Sequence, residues 1–136
     1  MRITREVDYA FRIVSNLARS KNNVVAAPQI ADEEEVPLRF TLRILRKLNQ
    51  AGITDSIRGV RGGYKLKMPS QDISLYDIIL AVDGPIIVNN CLDGENPDCL
   101  RKNKQNGRDC KFHNKLASIQ SLIIEQFSDA KIIDFI

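Results

Sequence analysis

The stretch PQIADEEEVPLRFTLRILRKLNQAGITDSIRGVRGGYKLK, residues 28–67, decides the fold. Pro28 suits the first turn of a helix, where its missing N–H is no loss, and Ile30, Ala31 and Val36 give the short helix after it one apolar side. Pro37 pushes Val36 out of helical geometry, so that helix lasts about two turns. From Pro37 a longer helix takes up Leu38, Phe40, Thr41, Ile44, Leu45 and Leu48, with Phe40, Ile44 and Leu48 on its buried side. It runs to Ala51 and Gly52, where Gly52 is the expected C′ residue. Two short strand-like segments come next, Ile53–Ile57 and Tyr64–Lys67, separated by Arg58-Gly59-Val60-Arg61-Gly62-Gly63. Two helices across a tight turn, then a hairpin with a basic, glycine-rich tip, predict a helix-turn-helix with a wing.

Upstream, Thr4 is an N-cap for a helix whose apolar stripe is Val7, Ala10, Phe11, Val14, Leu17 and Ala18. Downstream, Ser74 caps a helix carrying Leu75, Ile78, Ile79 and Val82 that stops at Gly84-Pro85. The fold class is therefore mainly α with a small β-hairpin, a winged helix-turn-helix over residues 1–85. Residues 86–113 form a cysteine loop that turns polar from residue 89 onward, and a loop of that length inside a compact domain is usually functional or disordered. From about Cys110 a last long helix carries Phe112, Leu116, Ile119, Ile123 and Phe127, and the tail adds Ile132, Ile133, Phe135 and Ile136. Residues 114–136 thus hold more apolar side chains than one winged domain has room to bury.

A chain of 136 residues with 43% apolar and 27% charged side chains builds one compact unit. That excludes a two-domain enzyme, wholesale disorder and a membrane protein. The opening Met1-Arg2-Ile3-Thr4 has no apolar run of the kind a signal peptide needs, so a cytoplasmic protein is expected. The net charge of +3 permits a nucleic-acid partner without demanding one.

That small excess is concentrated. Between Pro37 and Lys67 stand Arg39, Arg43, Arg46, Lys47, Arg58, Arg61, Lys65 and Lys67, with Asp55 the only acid. Arg39, Arg43 and Arg46 recur at helical spacing and give the second helix of the motif a cationic face; Thr41 joins them as a candidate DNA contact. A duplex major groove accepts such a helix, and guanidinium groups can bond guanine edges or neutralise phosphates. Arg58 and Arg61 at the wing tip can enter the adjacent minor groove. The acids Asp32-Glu33-Glu34-Glu35 would repel phosphate, and are expected to point away from it.

Cys91, Cys99, Cys110 and His113 follow the pattern C-x7-C-x10-C-x2-H. Zinc knuckles hold paired ligands in tight turns, whereas cysteines dispersed along a polar loop can wrap a larger body such as an iron–sulfur cluster. Zinc (Zn) held by three cysteines and one histidine remains the alternative. The nearby Lys102, Lys104, Arg108 and Lys111 favour thiolates and offset the charge of a ligated cluster. With one histidine in the chain and no glycine-rich phosphate loop, an enzyme is not expected.

Together these segments resemble the Rrf2 family of bacterial transcription regulators, which includes IscR and NsrR, over essentially the whole chain. The resemblance is carried by Thr4 to Asp8-Tyr9-Ala10, Pro37 to Leu48 with Ala51-Gly52-Ile53, Arg58 to Tyr64, Asp77-Ile78-Ile79, Asp83-Gly84-Pro85-Ile86, and the three cysteines. It implies a homodimer joined by the C-terminal helices, binding to a palindromic operator in double-stranded DNA, and a 2Fe-2S or 4Fe-4S cluster on Cys91, Cys99 and Cys110. The implied fourth ligand is His113 as in IscR-like members, or Asp8 reaching from the other subunit as in NsrR-like members. Arg58 matches the family's wing arginine. The gaps between cysteines are longer than the family's common five residues, and Leu42 and Arg43 stand where IscR-like members are more acidic or polar. The function so implied is a regulator whose operator affinity follows a cluster sensing redox state, nitric oxide or iron–sulfur status. The alternative is a zinc-binding or metal-free winged-helix regulator answering to a protein or small-molecule partner.

Overall fold

The computed structural model describes residues 2–94 and 110–136. Helix α1 (Arg5–Arg19) is the central element: α2, α3, α4, the hairpin and the C-terminal turn all pack on it. Thr4 caps it, its hydroxyl oxygen accepting the Val7 N–H at 3.2 Å, and that hydroxyl donates to the Asp83 carboxylate at 2.8 Å. Because α1 is covered from several sides, its buried face is wider than one stripe. Ile13 and Asn16 are buried beside Val7, Ala10, Val14 and Leu17, while Phe11 and Ala18 are only half-buried.

Helix α2 (Ala27–Glu34) has Pro28 in its first turn and ends on Glu35 in the left-handed region, φ 54°. Val36 therefore lies beyond the helix, yet it is buried. Helix α3 (Leu38–Gln50) ends as expected at Gly52, φ 78°. There the Gly52 N–H reaches Asn49 O and the Ile53 N–H reaches Leu48 O, both at 3.0 Å, so the exposed carbonyls of the last turn are satisfied while Ile53 enters the core.

Strands β1 (Thr54–Ile57) and β2 (Gly63–Leu66) pair antiparallel with Thr54 opposite Leu66 and Ile57 opposite Gly63. Val25, between α1 and α2, adds a one-residue third strand by exchanging both backbone hydrogen bonds with Tyr64, at 2.9 and 2.8 Å. Close approach there requires glycine: a Cβ on Gly63 would sit 2.4 Å from Val25 O. Helix α4 (Leu75–Asp83) opens on a reciprocal cap, Ser74 Oγ accepting from the Asp77 N–H at 3.0 Å and Asp77 Oδ2 from the Ser74 N–H at 2.9 Å.

After Gly84 the chain makes a short 3-10 turn at Asn90–Leu92, and helix α5 (Lys111–Asp129) lies against α4. The helix begins at Lys111, so His113 belongs to it and not to the preceding loop. The tail departs from the expected grouping with the last helix. Leu75 N–H donates to Ala130 O and Ile132 N–H to Ile73 O, each at 2.9 Å, and Ile132 is a member of the winged domain's core. Among the described residues no helix is long and apolar enough to cross a membrane.

Candidate nucleic-acid interface and cysteine loop

Helix α3 buries Thr41, Ile44, Leu45 and Leu48 and leaves Arg39, Leu42, Arg43 and Arg46 exposed. Phe40, read from the sequence as core, is half-buried and has a different task. The guanidinium groups of Arg39 and Arg43 each lie 4.9 Å from its ring centroid, so the ring is a platform that holds both cations near each other. Thr41 is corrected: it is fully buried and its hydroxyl bonds the Pro37 carbonyl at 3.2 Å, which removes it from any surface a partner can reach.

Glu6, missed in the sequence, and Lys47, read there only as one of the basic residues, organise this face. Glu6 on α1 accepts through one oxygen, Oε1, from Arg43 Nε at 3.2 Å and from Lys47 Nζ at 2.9 Å, and Lys47 also donates to the Val82 carbonyl at 3.1 Å. Lys47 is thereby turned inward, toward the joint of α1, α3 and α4. The signal available in the sequence was weak, since an acid in the first turn of a helix ordinarily needs no explanation beyond the helix dipole.

At the wing, Gly59 adopts φ 113° and the Gly62 N–H closes the tip on Gly59 O at 2.9 Å. Arg58, Val60 and Arg61 are all exposed on it. Two members of the acid run, Glu33 and Glu34, are bonded to α1. Asn16 Nδ2 donates to Glu33 at 2.7 Å and to Glu34 at 2.9 Å, and Arg19 pairs with Glu34 at 2.8 Å. Hydrogen bonds from Gln29 and then Asn16, with the Arg19 charge behind them, hold the Glu33 carboxyl below the usual glutamate range.

Cys91 sits in the middle of the 3-10 turn, which Asn89 caps by accepting the Asn90 N–H at 2.9 Å. The Asn89 amide lies 3.5 Å from Cys91 Sγ as a donor, which orients the sulfur. Val88 N–H donates to Gln120 Oε1 at 2.8 Å and so ties the approach to Cys91 onto α5. Cys110 occupies the N-cap position of α5 and His113 its first turn; both are half-buried. Cys91 is a free thiol, and Cys99 lies outside the described residues. Asp8, half-buried on α1, is held by Arg12 at 2.6 Å. Among the described residues no three His, Cys, Asp or Glu side chains come together as a metal-binding group. Two soft, half-buried sulfur donors at the ends of the loop, one with an amide donor beside it, suit a thiolate-ligated iron site in chemical type.

The sequence matches the family model Rrf2, described as an iron-dependent transcriptional regulator, over residues 3–136. A putative HTH-type transcriptional regulator of Haemophilus influenzae is 34% identical over 128 residues, 93% of this chain and 80% of that protein. The HTH-type transcriptional regulator IscR of Vibrio cholerae is 32% identical over 126 residues, 92% of this chain and 69% of that one. The chain spans from 54% to 80% of the length of such curated relatives. Among solved structures, CymR (YrzC), the global cysteine regulator of B. subtilis, superposes with a TM-score of 0.76 at 22% identity, over 99% of this chain and 95% of that one. At that identity the likeness is one of fold.

Proposed function

The chain belongs to the Rrf2 family of transcriptional regulators and is a DNA-binding regulator, not an enzyme; from that premise we propose that it acts as a cytoplasmic homodimer on a palindromic operator, with affinity set by an iron–sulfur cluster. Arg39, Arg43 and Arg46 on α3 face the major groove, and Arg58 and Arg61 on the wing face the adjacent minor groove. Cys91, Cys99 and Cys110 would hold the cluster, with His113 or Asp8 of the second subunit as fourth ligand. A cluster so held supplies reversible electron transfer and reactivity toward nitric oxide or iron loss.

The observation that supports the sensing half of this reading best is the position of Cys91 and Cys110. One is fixed to α5 through Val88 and Gln120, and the other begins α5, so both ends of the loop answer to a single helix. The exposed apolar side chains of that helix, Phe112, Ile119 and Leu122, support its role in dimerisation.

The test is a visible spectrum of protein purified without oxygen, with iron and sulfide assayed on the same sample. Matching iron and sulfide in a brown protein is the expected result. Zinc without sulfide, or no metal after anaerobic reconstitution, would move the reading to a regulator with another effector. In the loaded protein, Cys99→Ala should abolish the oxidation response of operator binding and leave a folded dimer; a response that persisted in this variant would remove the cluster as the switch.

A further inference from the structure

We infer that Glu6 is a specificity-determining residue that acts through Arg43, orienting this arginine toward DNA while withholding part of the charge of α3 from phosphates. The inference rests on the reading of α3 as the DNA-facing helix. Arg43 is held on two sides before any partner arrives: its guanidinium lies over the Phe40 ring and its Nε is bonded to Glu6. Among the described residues its two Nη groups make no hydrogen bond, and its side chain is 54% exposed. A guanine edge is read by that free fork, so the internal bond uses the one N–H that base recognition can spare. An arginine fixed in this way has already lost the rotamer freedom that docking would otherwise take from it.

Lys47 completes the arrangement. Its ammonium is satisfied by Glu6 and by the Val82 carbonyl, and it keeps the Glu6 carboxylate in place. One carboxylate therefore subtracts charge from a helix that carries four cations. Non-specific affinity depends on how many phosphates are neutralised, so this subtraction weakens binding to any sequence; correct orientation of Arg43 strengthens binding to the right one. Both effects raise the ratio of specific to non-specific binding. Glu6 positions a reading residue and does not itself touch DNA.

The experiment compares two probes: a duplex selected by the wild-type protein from a random-sequence pool, and a scrambled duplex of equal length, each titrated at several KCl concentrations. Glu6→Gln should tighten binding to the scrambled duplex by about threefold, steepen the salt slope by about one, and lower the selected-to-scrambled ratio by about tenfold. Glu6→Asp keeps the charge but shortens the reach, so it should lower the ratio while leaving the salt slope unchanged. A ratio within about twofold of wild type in both variants would overturn the inference. Arg39→Ala is the reference: if it leaves binding to the selected duplex unaltered, α3 does not face DNA, and the underlying reading fails instead.

Discussion

Between Thr4 and Asp83 every helix turns fully buried side chains toward its neighbours, whereas α5, with 19 residues, buries none. The first region closes its own core around Ile13, Ile30, Ile44, Leu48 and Ile78, all at 0% exposure. The second leaves Phe112 at 71% and Leu122 at 57% exposed on a helix that, among the described residues, lies against α4 and the 3-10 turn. The contrast separates two uses of apolar residues. In the winged domain they stabilise the fold within one chain; along α5 only some, Phe127 among them, pack against that core, and Phe112 and Leu122 are left as the apolar surface on which the proposed dimer rests.

The sharpest way to test that division is to truncate a side chain in each region. Ile44→Ala opens a cavity in a closed core and should cost about 3 kcal/mol in urea unfolding. Gly63→Ala acts through the hairpin, where the new Cβ would press on Val25 O, and should cost about 2 kcal/mol by the same measurement. Ser74→Ala removes one side of the reciprocal cap of α4 and should cost about 1 kcal/mol. Leu122→Glu on α5 should change the unfolding free energy of the isolated protomer by no more than about 0.5 kcal/mol, yet shift the sedimentation equilibrium from dimer to monomer. A loss for Leu122→Glu as large as that for Ile44→Ala would erase the distinction between the two regions.

The smallest expected effect concerns pH. The Glu33 carboxyl is held below its ordinary value in the folded chain, so it binds a proton less readily there than when unfolded. Its stabilising contribution is therefore present at pH values above the unfolded pKa and fades as the pH falls through the lowered folded value. Glu33→Gln should lower the thermal midpoint slightly at pH 7, leave it nearly unchanged at pH 3, and so flatten the slight acid-side slope between pH 5 and pH 3.

Much of the winged domain was legible in the sequence because its signals are local. Thr4, Ser74 and Gly52 mark helix ends through bonds to residues no more than five positions away, and those ends fall where expected. Side-chain roles that depend on distant partners were not legible. Helical spacing puts Thr41 near the arginines, yet the position faces inward; it puts Phe40 with Ile44 and Leu48, yet the ring ends at the rim beneath two guanidinium groups. Val25 against Tyr64, Glu6 against Lys47, and Ile132 in the core are all meetings across dozens of residues, with no short-range pattern to announce them. The cysteine spacing told the type of donor. It did not tell that Cys91 would be fastened to α5 through Gln120, since that bond joins residues 32 apart.

The return of the chain at Ala130 has a mechanical consequence. The chain leaves one end of α4 at Gly84, and Ala130 accepts from the Leu75 N–H at its other end, roughly 13 Å away along the helix axis. Helix α5 also packs against α4, and α4 in turn packs against both α1 and α3, so whatever displaces α5 is felt first by the helix that braces the other two.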